Sequence, residues 1–286
     1  MTLTTVHPSS IHEAHVIDLF CFLGPPENHD ANHPVEVLVN TGFVVGFCPK
    51  RYQPSWVAYR IAHADRDVDF ERPHLYYEDK RIAPEARLSS KTFGKHNGVQ
   101  YHVGHMAPNQ AINKQFGRRA QLETFFMSNM SPQRGSLNTG VWLKLERAIL
   151  DIENTRGEDH VWAMIGPVFG DDPDVIERDN GKRVPIPEAY FCITVDPRRW
   201  PYDRMSNVDV LALLIPQDTS GGSPLAYRST VAEIESRTSL SFFPGWVPSH
   251  LEATASTVKI RDEMPISHRL VRAIERVESM HSPAAH

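Results

Sequence analysis

Apolar residues fall along this chain in short runs that read as strands and in a few stretches with helical spacing. Strand-like runs occupy Val35–Leu38, Phe43–Phe47 and Ser55–Ile61, the last two rich in β-branched and aromatic residues with turn formers between them. Val99–Val103 has the same character and delivers His105 just past its end. Further runs lie at Val161–Ile165, Tyr190–Val195 and Val208–Ile215. Trp142, Leu145, Ile149 and Ile152 recur at helical spacing, which predicts one helix from Leu137 to Ile152 with those side chains facing the core. A shorter helix is expected over Thr230–Ser236, ahead of Phe242-Phe243-Pro244, and an amphipathic one around Ile266, Leu270, Ile274 and Val277. Val16–Leu23 suits a helix or an edge strand. Gly24–Pro34 reads as a loop, as does most of the polar stretch 70–98. Strands and helices mixed without a βαβ rhythm predict an α+β fold. With no internal repeat, the expected organisation is one domain over 35–248, an N-terminal extension over 1–34 and a C-terminal helical appendage over 249–286.

Composition narrows the class. At 286 residues, 41% hydrophobic and 23% charged, the chain has the balance of a globular protein with a sizeable core. No apolar run nears the roughly 18 residues that a membrane span needs, so no membrane partner is expected. Met1–Ser10 holds no Lys or Arg, and the basic-then-apolar layout of a signal peptide is absent, which makes a cytoplasmic protein the default expectation. Cys21, Cys48 and Cys192 lie far apart and form no CxxC pair, which argues against a disulfide scaffold or a thiolate zinc site. The net charge of -5 hides an asymmetry: Lys80–Arg147 carries eleven Lys/Arg against three acids, so that segment is +8 and the remainder -13. A local basic field attracts a phosphate backbone whatever the overall charge. Charge alone would equally suit a solvated basic face.

Within the basic segment lie three short motifs: Gly104-His105-Met106-Ala107-Pro108, Ser128-Asn129-Met130-Ser131-Pro132-Gln133, and Leu137-Asn138 followed by Trp142 and Leu145-Glu146. They supply an imidazole, two carboxamides and a carboxylate, the equipment for hydrolysing a phosphodiester with one hard metal ion. Such hydrolysis needs a water activated for in-line attack, stabilisation of charge on the phosphoryl oxygens and help for the departing oxygen. A neutral imidazole titrates near working pH, which makes His105 the candidate general base. Asn138 and Glu146 are eight residues apart. On one helix they share a side at roughly 12 Å separation, so both cannot coordinate one ion directly. Asn138 would bind the ion and Glu146 would reach its hydration shell through a water. Magnesium, which keeps several waters beside one or two protein oxygens, suits that set, with manganese as the alternative. Singly, Asn138 reads as a helix N-cap and Glu146 as an exposed charge; their combination with His105 is what points to a site.

These motifs, in this order and spacing, resemble the signature of the DNA/RNA non-specific endonucleases, the ββα-metal group that includes secreted bacterial sugar-non-specific nucleases and mitochondrial endonuclease G. Pro54-Ser55-Trp56-Val57-Ala58-Tyr59 resembles an early strand of that family. Ile165-Gly166-Pro167-Val168-Phe169, Val184-Pro185-Ile186-Pro187 and the stretch from Ile234-Glu235 to Phe242-Phe243-Pro244 resemble its C-terminal half, so the likeness spans residues 35–248. It implies a central, mainly antiparallel sheet flanked by helices. It implies His105 as general base, Asn138 as direct magnesium ligand, Glu146 acting through a water, Asn129 supporting the site by hydrogen bonding, and Arg72 binding the scissile phosphate. The ion would stabilise the leaving 3′-oxygen, giving 5′-phosphate ends. Arg118, Arg119, Arg134 and Lys144 are candidates for contacts to a nucleic-acid backbone, where base readout is not required. The family usually has Asp-Arg before Gly-His, whereas this chain has His102-Val103, which removes a phosphate contact and an orienting acid; His102 is either a partial substitute or, like Tyr101, an ordinary strand residue. Phe125, four residues before Asn129, falls where members carry either a polar amide or an aromatic.

The expected function is a magnesium-dependent endonuclease acting on DNA and/or RNA with low sequence specificity. A phosphodiesterase or pyrophosphatase acting on small nucleotides is one alternative, and a nucleic-acid-binding protein with impaired catalysis is another. No GxSxG, GxxxxGK(S/T), HExxH or GxGxxG motif occurs, which gives other enzyme classes little support. The likeness makes a homodimer an expectation, with the terminal helix either joining two copies or capping the domain. An active nuclease kept in the cytoplasm would endanger its own genome, so an inhibitor, an activator, a regulated state or delivery by a non-standard export route is expected too.

Overall fold

Every run read as strand-like forms a strand, with ends within a few residues of those expected. The computed structural model describes residues 11–64, 70–154, 160–178, 181–197, 208–245 and 268–281. In chain order the first elements are α1 (Ile11–Phe20), β1 (Glu27–Asn28), β2 (Glu36–Val39), β3 (Val44–Cys48), β4 (Gln53–Ile61), β5 (Gly94–His96) and β6 (Val99–His105). Then come α2 (Asn109–Phe116), α3 (Arg118–Glu123), β7 (Met130–Arg134), α4 (Gly135–Thr139), α5 (Val141–Asn154) and β8 (Val161–Val168). The last are β9 (Val175–Arg178), β10 (Lys182–Pro185), β11 (Ala189–Pro197), β12 (Val208–Pro216), β13 (Arg228–Ser229), α6 (Val231–Thr238), β14 (Leu240–Ser241) and α7 (His268–His281). Ile266, expected in the last helix, lies outside the described residues.

The architecture is α+β. A seven-stranded sheet in the order β13-β12-β11-β8-β4-β3-β2 is antiparallel throughout. Its central strands are buried on both faces, because alternate side chains feed two apolar clusters. Val57, Tyr59 and Ile61 of β4 and Ala163 and Ile165 of β8 face the cluster that holds Trp142, Leu145 and Ile149 of α5. Trp56, Ala58, Trp162 and Met164 face the opposite cluster, which holds Ile17 and Phe20 of α1 and Ile234 of α6. The apolar Val16–Leu23 patch is therefore largely helix, seated against the sheet rather than extending it. Leu270, Ala273, Ile274 and Val277 of α7 are buried in the α5 cluster, so this face of the terminal helix caps the core of its own chain. No helix among the described residues is long and apolar enough to cross a membrane.

A separate three-stranded sheet, β5-β6-β7, carries two of the motifs. Across its β6–β7 pair, His105 lies opposite Met130 and Gly104 opposite Ser131. The motif's proline stands inside a strand without breaking it, and Pro132 pairs with Val103. A β-carbon on Gly104 would sit 2.2 Å from Gln133 Oε1, so glycine is required there by the fully buried Gln133 side chain.

The helix expected from Leu137 to Ile152 is two helices. The chain breaks at Gly140, between α4 and α5, so Asn138 and Glu146 do not share one continuous helical face. The apolar spacing of Trp142, Leu145, Ile149 and Ile152 gave no sign of this, because all four lie on α5 and are buried there as expected. Gly140 lets the backbone pinch so closely that a β-carbon would stand 2.4 Å from the Ser136 carbonyl oxygen. Gly140→Ala must therefore push the two helices apart. We expect a loss of about 2 kcal/mol in urea unfolding, together with displacement of Asn138; unchanged stability would show that the break tolerates a side chain.

Candidate active site

Four segments converge on one cleft of about 480 Å³ whose walls include Arg72, His102, His105, Asn138, Glu146 and Arg147. His105 arrives as the last residue of β6. The chain beyond it is held by Asn129, fully buried, whose carboxamide clamps both backbone polar groups of one residue. Its Oδ1 accepts from the Ala107 N–H at 2.8 Å and its Nδ2 donates to the Ala107 carbonyl at 3.1 Å. Nδ2 also donates to the Thr124 carbonyl at 2.9 Å, and the Asn129 carbonyl accepts from the Met106 N–H at 3.0 Å. Asn129 thus touches the loop that follows the histidine and does not line the cleft.

The His105 imidazole is 6% exposed and sits in an aromatic setting. The Phe125 ring meets it edge-on at 4.8 Å between centroids, and Tyr76 stacks on Phe125 at 5.8 Å. Burial, and secondarily the nearby Arg72 guanidinium, pushes the His105 pKa down to about 3, so the ring is neutral through the physiological range. Its Nε2 is buried with no hydrogen-bond partner. Phe125 is thus part of the site, a role that its position four residues before Asn129 did not disclose.

Arg72 is exposed at the cleft, with its guanidinium 5.2 Å from the Phe125 ring centroid. Backbone bonds hold its segment. Tyr77 N–H donates to the Phe125 carbonyl at 2.9 Å and Met127 N–H to the Tyr77 carbonyl at 2.8 Å. The carbonyls of Phe70 and Glu71 are anchored as well, by Gln121 at 3.1 Å and by Arg118 at 2.6 Å. Arg118, expected at a nucleic-acid backbone, holds the residue before Arg72. Arg119 pairs with Glu123 at 3.4 Å, Lys144 donates to the Gly222 carbonyl at 2.9 Å, and the Arg134 Nε is buried without a partner. The cleft walls carry Arg72 and Arg147, and none of these four.

On the facing wall stand the half-buried Asn138 and Glu146. Burial pushes the Glu146 carboxyl up to about 7, against the opposing pull of Arg72. Asn138 contacts His102: its Nδ2 and the His102 Nδ1 are 3.2 Å apart. No cluster of three or more His, Cys, Asp or Glu able to hold a metal occurs among the described residues. The donor set is one carboxamide, one imidazole and one carboxyl, which fits a divalent ion that keeps much of its water. It does not fit a closed site with four protein ligands.

The second motif also ties this region to its surroundings. Ser128 Oγ donates to the buried Asp79 carboxylate at 2.6 Å, and Arg81 binds the same group through Nε at 2.8 Å. Burial works to raise the Asp79 pKa, and the Arg81 and Ser128 hydrogen bonds outweigh it and hold it below the ordinary carboxylate value.

Known proteins share this arrangement of elements. The nuclease EXOG, mitochondrial, of Homo sapiens is 28% identical over 231 residues, 75% of this chain and 57% of that protein, so this chain spans little more than half of its length. The nuclease of Serratia marcescens is 26% identical over 207 residues, 70% of this chain and 71% of that protein. A solved structure of EndoG in complex with EndoGI matches 83% of this chain and 93% of that one, with a TM-score of 0.64 at 19% identity, a likeness of fold. In that ββα-metal fold, β6, β7 and the helices after them are the unit that carries the three motifs. The family described as DNA/RNA non-specific endonuclease matches residues 28–249, and the chain belongs to it.

Proposed function

We propose that the cleft hydrolyses phosphodiester bonds of DNA or RNA as a metal-dependent endonuclease of low sequence specificity. The observation that carries this reading is the convergence of a buried neutral imidazole, a carboxamide, a carboxyl and an arginine on one cleft. His105 is held uncharged, so it accepts the proton of the water that attacks phosphorus. The Arg72 guanidinium, exposed where a strand would enter, presents a planar fork to the phosphate. Asn138 would hold a divalent cation directly and Glu146 would do so through a water, with magnesium first and manganese second. Bound there, the ion supplies positive charge to the phosphate as negative charge develops. As the water oxygen bonds to phosphorus the bond to the 3′-oxygen breaks, the departing oxygen takes a proton from solvent to become a 3′-hydroxyl, and a 5′-phosphate remains. Nothing in these contacts requires a particular base.

The decisive experiment is cleavage of supercoiled plasmid and of a structured RNA by purified protein, with Mg²⁺ and with EDTA. Metal-dependent nicking is expected. Folded, metal-loaded protein that leaves both polymers intact but releases nucleotide from a small diester would move the substrate class to small nucleotides. His105→Ala should lower kcat by about 10²–10⁴-fold with DNA affinity unchanged; undiminished turnover would remove the histidine from the mechanism. Arg72→Ala should lower kcat/KM by about 10²-fold, and Arg72→Lys should recover only part, because the point charge lacks the fork.

The buried imidazole also makes a prediction about stability. The folded state disfavours the protonated ring, so between about pH 3 and 6.5 the unfolded chain binds more protons and stability climbs with pH. His105→Gln lacks this component. In urea unfolding its stability relative to wild type should improve as pH falls below 6.5, by up to about 1.4 kcal/mol per pH unit. A difference that does not change with pH would show that the ring is not held neutral by burial.

A further inference from the structure

The geometry points to His102 as a second protein ligand of the divalent ion, coordinating through Nδ1 beside the Asn138 carboxamide oxygen. This rests on the single-metal reading of the cleft. His102 and Asn138 come from different elements, β6 and α4, and both line the cleft. Their side-chain atoms lie 3.2 Å apart, recorded as Asn138 Nδ2 against His102 Nδ1. Rotating the carboxamide by half a turn exchanges its nitrogen and oxygen in place. Oδ1 then faces the imidazole lone pair across a gap that suits two adjacent ligands of one octahedral ion. With bonds of about 2.1 Å, neighbouring ligand atoms stand roughly 3 Å apart.

The ring is also positioned for this. A β-carbon at Gly135 would lie 3.0 Å from His102 Nε2 and 3.3 Å from Cε1, so the imidazole packs against a backbone with no side chain. That packing sets the ring's edge toward Asn138 and leaves Nδ1 as the nitrogen in contact with the carboxamide. The paired donors are thus one oxygen and one nitrogen. Oxygen-only sets suit Mg²⁺, whereas an imidazole nitrogen shifts preference toward transition ions such as Co²⁺ and Ni²⁺.

Electron spin-echo spectroscopy of the intact protein with substoichiometric Mn²⁺ reads the ligand directly, without any turnover. Asn138-dependent binding with ¹⁴N modulation from a coordinated imidazole is expected. It should persist in His105→Ala and vanish in His102→Ala. In metal titrations, His102→Asp should lower the Co²⁺-over-Mg²⁺ affinity ratio by about tenfold or more. Mn²⁺ that needs Asn138 but shows no nitrogen, or keeps its nitrogen signal in His102→Ala, overturns the ligand assignment. His102 would then be a positioning residue for Asn138, and the metal reading of the cleft would stand. Mn²⁺ binding unaffected by Asn138→Ala would overturn the ligand and the single-metal reading together.

Discussion

A buried polar seam joins the ribbon that carries the histidine to the main sheet, and the site depends on it. Ser131 Oγ donates to Gln53 Oε1 of β4 at 2.6 Å and lies 2.8 Å from Tyr190 Oη of β11. Tyr190 donates to the Pro132 carbonyl at 2.9 Å, as Gln217 does at 2.8 Å from just beyond β12. Gln217 Oε1 accepts from the Arg134 N–H at 2.9 Å, and Gln53 Nε2 donates to the Pro185 carbonyl at 2.8 Å. Ser131, Gln53 and Tyr190 are fully buried, so each group left unpaired would cost about 1–3 kcal/mol. A shift of β7 along the sheet would break several of them at once. Because β6 is paired to β7 residue by residue, the placement of β7 fixes His105 as well.

The same construction explains why the cleft can keep its histidine uncharged. The seam and the Asn129 clamp hold the backbone through hydrogen bonds, and the imidazole Nε2 itself has no hydrogen-bond partner. Phe125 and Tyr76 then surround it with apolar surface. Removal from water disfavours the cation, and the Arg72 charge adds to that. Position and protonation state are thus set by different groups. The ring could not be gripped by a carboxylate without raising its pKa again.

The strands and the core faces of the helices were legible because apolar periodicity reports burial directly. The three motifs were legible because their residue types and spacing are chemically specific. Much of the rest was hidden in single contacts. Gly140 reads as one more residue in a helical period, and only the 2.4 Å approach to the Ser136 carbonyl shows why the helix stops there. The α2–α3 pair carries a Gly117 between its helices and a weak apolar pattern, and no expectation covered it. Arg118 reads as a candidate backbone contact because charge is visible in sequence, whereas its bond to the Glu71 carbonyl is not. Phe125 looked neutral for the opposite reason: an aromatic is usually core, and here it is core that also forms the wall behind the imidazole.

The His102-Val103 pair shows how a departure from the family pattern is absorbed locally. Val103 is 6% exposed and packs with Tyr101, Met127 and Met130, so this position contributes apolar contact where the family usually places an arginine. The arginines that line the cleft are Arg72, on a loop anchored by Arg118 and Gln121, and Arg147, the residue after Glu146 on α5. His102 takes the place of an acid and brings no negative charge. Among the residues that line the cleft, Glu146 carries the one carboxyl that a cation there would meet. The acid and the arginine missing from the usual pattern carry opposite charges, so losing both together leaves the net charge of this stretch unchanged.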